Sequence, residues 1–211
     1  MQDLIGSTFL KKKILEKEVD VNDKFEAAGE EEFEDIKILA LYFSAWSCPP
    51  SRIFTSWFKN LYNKVNLDEK VIEVVYVSCD ASEEDFKNNY ALMPWAAFRY
   101  GDEHIKKLRA KYAVKAIPYL VILDPVNNCE VISIRGRKEV QDQPNDCLDL
   151  WLERQKDEKY TDPVPDLPIS ITTTDEAKEA LQKYAEWEAE RKREKDEERE
   201  RDERHEKYGV S

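Results

Sequence analysis

Two apolar runs of strand length, residues 36–44 (IKILALYFS) and 71–78 (VIEVVYVS), stand on either side of a single amphipathic stretch. That arrangement constrains the fold more than any other feature of the chain. The stretch between them, residues 49–65, puts Ile53, Phe54, Trp57, Phe58, Leu61, Tyr62 and Val65 on one helical face. A strand, a helix and a second strand in that order make a crossover, and a crossover leaves its two strands parallel. Farther along, residues 82–89 read as a helix with Ser82 as N-cap and Asp85 three positions on. Residues 103–113 read as another, with Ile105, Leu108 and Tyr112 on one side. Residues 119–123 and 130–134 are strands joined by Asp-Pro-Val-Asn-Asn, and so short a connection predicts an antiparallel hairpin. Residues 138–154 read as a closing helix in which Pro144 either lies near the start or breaks the run. The class is α/β: a mixed central sheet with helices on both faces.

The chain divides by composition. Residues 1–35 form a mixed, charged N-terminal extension, 36–154 a globular domain, 155–174 a linker with three prolines, and 175–208 an almost continuous run of helix formers. Acidic residues number 45 against 33 basic, a net charge of -12. Nucleic acid and anionic membrane are therefore unlike partners, because both are met by surplus Lys and Arg. No run approaches the roughly 18 apolar residues of a membrane span, and the N-terminus has no apolar stretch of signal-peptide length. The expected compartment is the cytoplasm. Five glycines spread over 211 residues cannot build a phosphate cradle, and two histidines, His104 and His205, cannot build a metal site or a triad by themselves. Neither a cofactor nor a metal is expected.

Four cysteines, Cys48, Cys79, Cys129 and Cys147, show no CxxC spacing. In a reducing compartment Cys79 and Cys129, in or beside strand-like runs, read as small buried hydrophobes. Cys147 is undecided. Cys48 stands between a buried strand and an amphipathic helix and is followed by Pro49 and Pro50, which suit the first helical turn. That places its sulfur near unpaired N–H groups and the positive end of the helix dipole, which favour the thiolate, the form that attacks disulfides. The plain alternative is an inert Cys48 buried under Trp46.

The block YFSAWSCPPSR at 42–52 resembles the active-site block of the thioredoxin superfamily, specifically its tryparedoxin and nucleoredoxin branch, whose usual run is FSASWCPPCR. Leu4-Ile5-Gly6 with Leu10 resembles that branch's N-terminal opening. Met93-Pro94-Trp95-Ala96-Ala97 resembles its PW loop. The stretch Ala113-Val114-Lys115-Ala116-Ile117-Pro118-Tyr119-Leu120-Val121 is similar to the run that carries the family's cis-proline, and Ile122-Leu123-Asp124 and Gly136-Arg137 continue it. The resemblance covers roughly residues 4–154. It implies a thioredoxin-like fold and thiol-disulfide exchange on protein or small-thiol disulfides. Cys48, Ser51 and Pro118 then form the catalytic positions, with a cis Ile117–Pro118 bond beside Cys48. Trp46, Pro49, Pro50, Trp95, Ile117 and Tyr119 become candidates for the substrate surface, with simple packing as the equal alternative for Trp95. Trp57 reads as core and Arg52 as a solvated first-turn residue.

The departures shape the functional reading. The second cysteine is Ser51, the tryptophan is displaced to Trp46 with Ser47 interposed, no proline stands near Arg99, and Tyr119 stands where a small residue is usual. A dithiol reductase attacks with one cysteine and resolves with the other. Cys48 can perform the first half and Ser51 cannot perform the second, although its hydroxyl is able to donate a hydrogen bond to the Cys48 sulfur. Cys79 ends the next strand by the family pattern and is not expected to resolve the mixed disulfide. The expectation is a monothiol oxidoreductase that needs an external thiol. Ser51 is either natural drift or a trapping substitution, and the accompanying shift of Trp46 favours drift.

The tail supports a second reading. Residues 188–207 are nearly all charged, with acid-before-base pairs Glu188/Lys192, Glu197/Arg201, Glu200/Arg204 and Glu203/Lys207 at four-residue spacing. Ala177, Leu181, Tyr184 and Trp187 form a short apolar stripe before them. A redox-inactive subunit held in a larger assembly, cytoskeletal or ciliary, through the helix at 175–208 is the alternative.

Overall fold

The structure, a computed structural model, describes residues 6, 8–12, 25–157, 160 and 193. All of these but Arg193 belong to the first of two units into which the chain divides, residues 1–170. Apart from Arg193, the helix expected at 175–208 lies outside the described residues, as does most of the linker.

The strands are β1 (Phe9–Lys12), β2 (Phe25–Ala28), β3 (Ile38–Ser44), β4 (Ile72–Ser78), β5 (Ala96–Ala97), β6 (Tyr119–Asp124) and β7 (Glu130–Ser133). The helices are α1 (Pro49–Val65), α2 (Glu83–Tyr90), α3 (Glu103–Lys111), α4 (Gly136–Asp142) and α5 (Cys147–Lys156). The strands form one sheet in the order β2-β1-β5-β4-β3-β6-β7. β3 and β4 are parallel, as the crossover through α1 requires, and β6 and β7 are the expected antiparallel hairpin. β6 runs antiparallel to β3, so the sheet is mixed.

The period of two in the central strands sorts their side chains between two cores. Ile38, Ala40 and Tyr42 of β3 join Ile72, Val74 and Tyr76 of β4 and Leu120 and Ile122 of β6 on one face. That face is covered by Phe54, Phe58 and Leu61 of α1, Phe86 and Tyr90 of α2, Val140 of α4 and Trp151 of α5. The alternate residues Leu39, Leu41, Phe43, Val75, Val77, Val121 and Leu123 pack on the other face against Ile105 and Leu108 of α3. β3, β4 and β6 are buried on both faces and therefore read as continuous apolar runs instead of alternating ones.

Two features differ from the sequence expectation, and a third settles an alternative it left open. The sheet reaches back into the charged segment before residue 36, because β1 and β2 pair with each other and β1 pairs with β5. Of the two readings of Pro144 the break is the one observed: the closing run is two helices, α4 and α5, divided around that proline, which has no N–H to continue the ladder. The run at 36–44 becomes a strand only at Ile38, although both Lys37 and Ile38 donate to the Val71 carbonyl. The cap of α2 is as expected: the Ser82 hydroxyl accepts from the Asp85 N–H at 3.1 Å.

One carboxylate ties the N-terminal strands to the core. Glu73 of β4 is 2% exposed and serves four donors. Its Oε1 accepts from Val74 N (3.0 Å) and Ala96 N (3.2 Å), and its Oε2 from Tyr62 Oη (3.2 Å) and Lys70 Nζ (2.6 Å). Lys70 also reaches Glu32, which accepts from Lys11 of β1 at 2.6 Å. Glu73→Ala would strand the buried Ala96 N–H and the Tyr62 hydroxyl, so a loss of about 3 kcal/mol is expected. Glu73→Gln, which keeps two of the acceptor contacts, is expected to lose less. Urea unfolding midpoints of the two variants check this order.

Candidate functional site

The parallel register pairs Ser44 of β3 with Ser78 of β4, so the loops that follow both strands leave the sheet at the same end. β6 runs the other way and begins at Tyr119, so the 113–118 loop arrives there too. Cys48 lies in this cluster of loops. Its N–H closes a turn onto the Ala45 carbonyl (3.1 Å), and it is the N-cap of α1, with Pro49 and Pro50 in the first turn. The thiol is half-buried, and its Sγ donates to the Ile117 carbonyl at 3.6 Å. The Ile117–Pro118 peptide is cis. Cys48 and Ile117–Pro118, 69 positions apart in sequence, are therefore side by side.

The helix terminus differs in detail from the expectation. Among the described residues no free N–H group is aimed at the sulfur. Pro49 and Pro50 have none, and Ser51 N (3.1 Å) and Arg52 N (3.3 Å) both donate to the Cys48 carbonyl. What remains for the sulfur is the helix dipole and one carbonyl acceptor.

Ser51 also departs from its expected role. Its side chain is fully buried and its Oγ has no hydrogen-bond partner among the described residues, so it does not donate to Cys48. Its carbonyl is well served, accepting from the hydroxyls of Tyr42 (3.0 Å) and Thr55 (2.8 Å). The backbone here is fixed, and the side-chain slot holds a polar atom without using its polarity.

The other candidates divide. Trp46 is at the site, half-buried, and so are Pro49 and Pro50. Trp95 is not brought to Cys48. It is 1% exposed and packs edge-on to Tyr42 (6.0 Å) and Tyr62 (5.5 Å) and against Phe58 (5.1 Å) in the first core. Tyr119 turns into the second core, 5% exposed and edge-on to Phe43 at 6.1 Å, instead of crowding the surface. Trp57 is half-buried against the first core, as expected.

Two residues that the sequence did not assign to the site belong to it. Arg52, read as solvated, donates from Nη1 to the Trp46 carbonyl, and its guanidinium lies 5.1 Å over the Trp46 ring. Asp80, just past β4, accepts the Trp46 N–H on Oδ1 at 2.6 Å. Its Oδ2 accepts from the Ser78 hydroxyl (2.8 Å) and from Tyr76. Burial first, and then the Asp80 carboxylate, push the Tyr76 phenol far above its ordinary range, so it stays a donor at all accessible pH. The one signal for Asp80 in the sequence is a carboxylate directly after a strand, which many loops share.

The remaining cysteines are of a different kind. Cys79 follows β4, and its N–H donates to the Ser44 carbonyl at 2.8 Å. Burial pushes its thiol up to about 11, and burial does the same to Cys147. Cys129 is also raised by burial. At pH 8 a thiol with a pKa near 11 is only about 0.1% thiolate. Maleimide titration of the native protein is therefore expected to label Cys48 first, with Cys79, Cys129 and Cys147 following only after unfolding. The raised thiols also set a pH limit. They are neutral when folded and ionise earlier when unfolded, so their stabilising effect is complete below about pH 9 and is lost as pH rises toward 11. Among the described residues no three His, Cys, Asp or Glu side chains are grouped to hold a metal ion, and no helix is long and apolar enough to cross a membrane.

Comparison with known proteins bears on the same segments. A thioredoxin-like family model matches residues 35–131. Nucleoredoxin of Xenopus laevis is 43% identical over 103 residues, which are 48% of this chain and 24% of that protein. The chain thus spans about a quarter of the length of the curated relatives it matches. Among solved structures, thioredoxin from Wuchereria bancrofti is 35% identical with a TM-score of 0.52, over 69% of this chain and 94% of that one. Tryparedoxin from Trypanosoma brucei is 31% identical with a TM-score of 0.51, over 67% of this chain and 89% of that one.

Proposed function

Because the chain belongs to the thioredoxin superfamily, in its tryparedoxin- and nucleoredoxin-like branch, we propose that it is a thiol-disulfide oxidoreductase acting as a monothiol through Cys48. The observation that carries this reading is the half-buried Cys48 thiol at the N-cap of α1, 3.6 Å from the Ile117 carbonyl and beside Pro118. The Cys48 thiolate attacks one sulfur of a protein or small-thiol disulfide. A Cys48–substrate disulfide forms, and the other substrate sulfur leaves as a thiolate and takes up a proton. A small external thiol then attacks the substrate sulfur of that mixed disulfide. Cys48 is released as thiolate, and the substrate leaves carrying the external thiol in disulfide linkage. Ser51 has no thiol to shorten this sequence.

The test is turnover of a protein disulfide with glutathione as the sole reductant. The rate should be proportional to glutathione concentration until attack on substrate becomes limiting. A rate independent of glutathione would show internal resolution and end the monothiol reading. The alternative, a redox-inactive assembly subunit, depends on residues 175–208, and no described residue favours it.

A further inference from the structure

The loop that carries Cys48 is gripped by two side chains that the exchange reaction does not itself involve. On one side the Asp80 Oδ1 holds the Trp46 N–H at 2.6 Å. Asp80 is in turn held by groups of β4: Ser78 Oγ and Tyr76 Oη donate to its Oδ2, and its own N–H donates to Ser78 Oγ at 3.1 Å. Tyr76 is locked by Asn89 Nδ2 (2.8 Å) and stacks on Phe86 with ring centroids 5.8 Å apart. On the other side Arg52 of α1 holds the Trp46 carbonyl and covers its ring. The two peptide groups of one residue are thus tied to two different elements, the end of β4 and the first turn of α1.

Trp46 is two positions before Cys48, and the Cys48 N–H is fixed to Ala45, the residue on the other side of Trp46. With Ala45 continuing β3 and Trp46 held at both of its peptide groups, the chain from 45 to 48 keeps little freedom. We infer that Asp80 and Arg52 are positioning residues: they clamp Trp46 so that the Cys48 sulfur is presented beside Ile117 and Pro118. The inference rests on the thiol-exchange reading. It accounts for a pair of facts: a carboxylate anchored through Oδ2 on Ser78 and Tyr76 that turns Oδ1 to one loop amide, and an arginine of the helix that begins at Cys48 engaged on the Trp46 carbonyl and ring.

The test uses the full chain with Asp80→Ala, Asp80→Asn and Arg52→Ala. Two quantities are read: hydrogen exchange of the Trp46 amide, and the rate of Cys48 with 5,5′-dithiobis(2-nitrobenzoate). Cys147, fully buried, reports loss of the fold if it becomes reactive. Asp80→Ala is expected to speed Trp46 amide exchange and to slow Cys48, each by about tenfold or more, since a misplacement near 1 Å at a reacting atom can cost that much. Asp80→Asn keeps an oxygen for the Trp46 N–H and is expected to stay within about threefold of the parent in both. Arg52→Ala is expected to slow Cys48 without altering Cys147, and it decides the matter if Asp80→Ala exposes Cys147. Trp46 exchange or Cys48 rates at the parent level in Asp80→Ala, with Cys147 protected, would overturn the clamp. An unreactive Cys48 in the parent would overturn the exchange reading, and the amide measurement would still decide whether the loop is clamped.

Discussion

Cys48→Ala is expected to abolish disulfide exchange, leaving the rate of reagents alone, while the folded state is unchanged. The chemical half of this expectation follows from the absence of a substitute. Cys79 and Cys147 are held near pKa 11 by burial, so neither supplies appreciable thiolate near neutral pH. The structural half follows from how little Cys48 contributes to packing. The side chain is half-buried, and among the described residues its one polar contact is a thiol to a carbonyl at 3.6 Å. Away from core and network positions a substitution usually changes stability by less than about 0.5 kcal/mol. Thermal unfolding of Cys48→Ala beside its activity checks both halves. Residual exchange in the variant would move the chemistry to another cysteine.

Ser51→Cys is expected to have the largest effect in the opposite direction. Positions 48 and 51 are N-cap and third residue of α1, three apart on one turn. Neighbours at that spacing on a helix have Cβ atoms about 5–6 Å apart, and the non-helical N-cap backbone at Cys48 leaves room for the adjustment to the roughly 3.5–4.5 Å that a disulfide needs. A thiol at position 51 would attack the Cys48 sulfur of the mixed disulfide, expel the substrate as a thiol and leave an internal disulfide between positions 48 and 51. An internal attack has an effective concentration in the millimolar range or above, so substrate release is expected about tenfold or more faster than with dilute glutathione. The reduced variant should also be more stable by about 1 kcal/mol, because the parent buries a hydroxyl with no partner and the thiol loses less by burial. Ser51→Ala separates the two effects: it should match the stability gain and show no faster release. Equal release rates in Ser51→Cys and the parent would mean that position 51 does not face Cys48.

The parts of the fold legible in the sequence were those with a period. β3, β4, β6 and α1 carry long apolar patterns, and residues 49–65 proved to be the helix to the residue. β1, β2 and β5 were not legible. They hold four, four and two residues, too few for a period, and the first two include charged side chains, one of them, Glu26, on the edge strand β2, where charge discourages further pairing. The break between α4 and α5 was visible as Pro144, but which side of it would stay helical depended on packing of Val140 and Trp151 on the sheet.

For the candidate site, the sequence pointed to Cys48 and Pro118 and gave no sign of the side chains that contact the loop around them. The Cys48 thiol lies on the Ile117 carbonyl of the cis Ile117–Pro118 peptide. The missing N–H donors at the helix start were in principle visible, because Pro49 and Pro50 cannot supply them. Asp80 and Arg52 were not, because their contacts with Trp46 arise only when the ends of β3 and β4 lie together. Trp95 illustrates the converse. The sequence left it open between lining the site and packing, and the aromatic cluster of Tyr42, Phe58 and Tyr62 takes it into the core.

The central claim is that Cys48 reacts with disulfides and has no internal partner to release it. The most direct measurement is the intact mass of the protein after brief exposure to glutathione disulfide and an acid quench, followed by peptide mapping. The expected result is a single glutathionyl group on Cys48 that persists until free thiol is added. An unmodified chain would contradict the claim of reactivity, and a chain lighter by two hydrogens, joined internally at Cys48, would contradict the claim that it works alone.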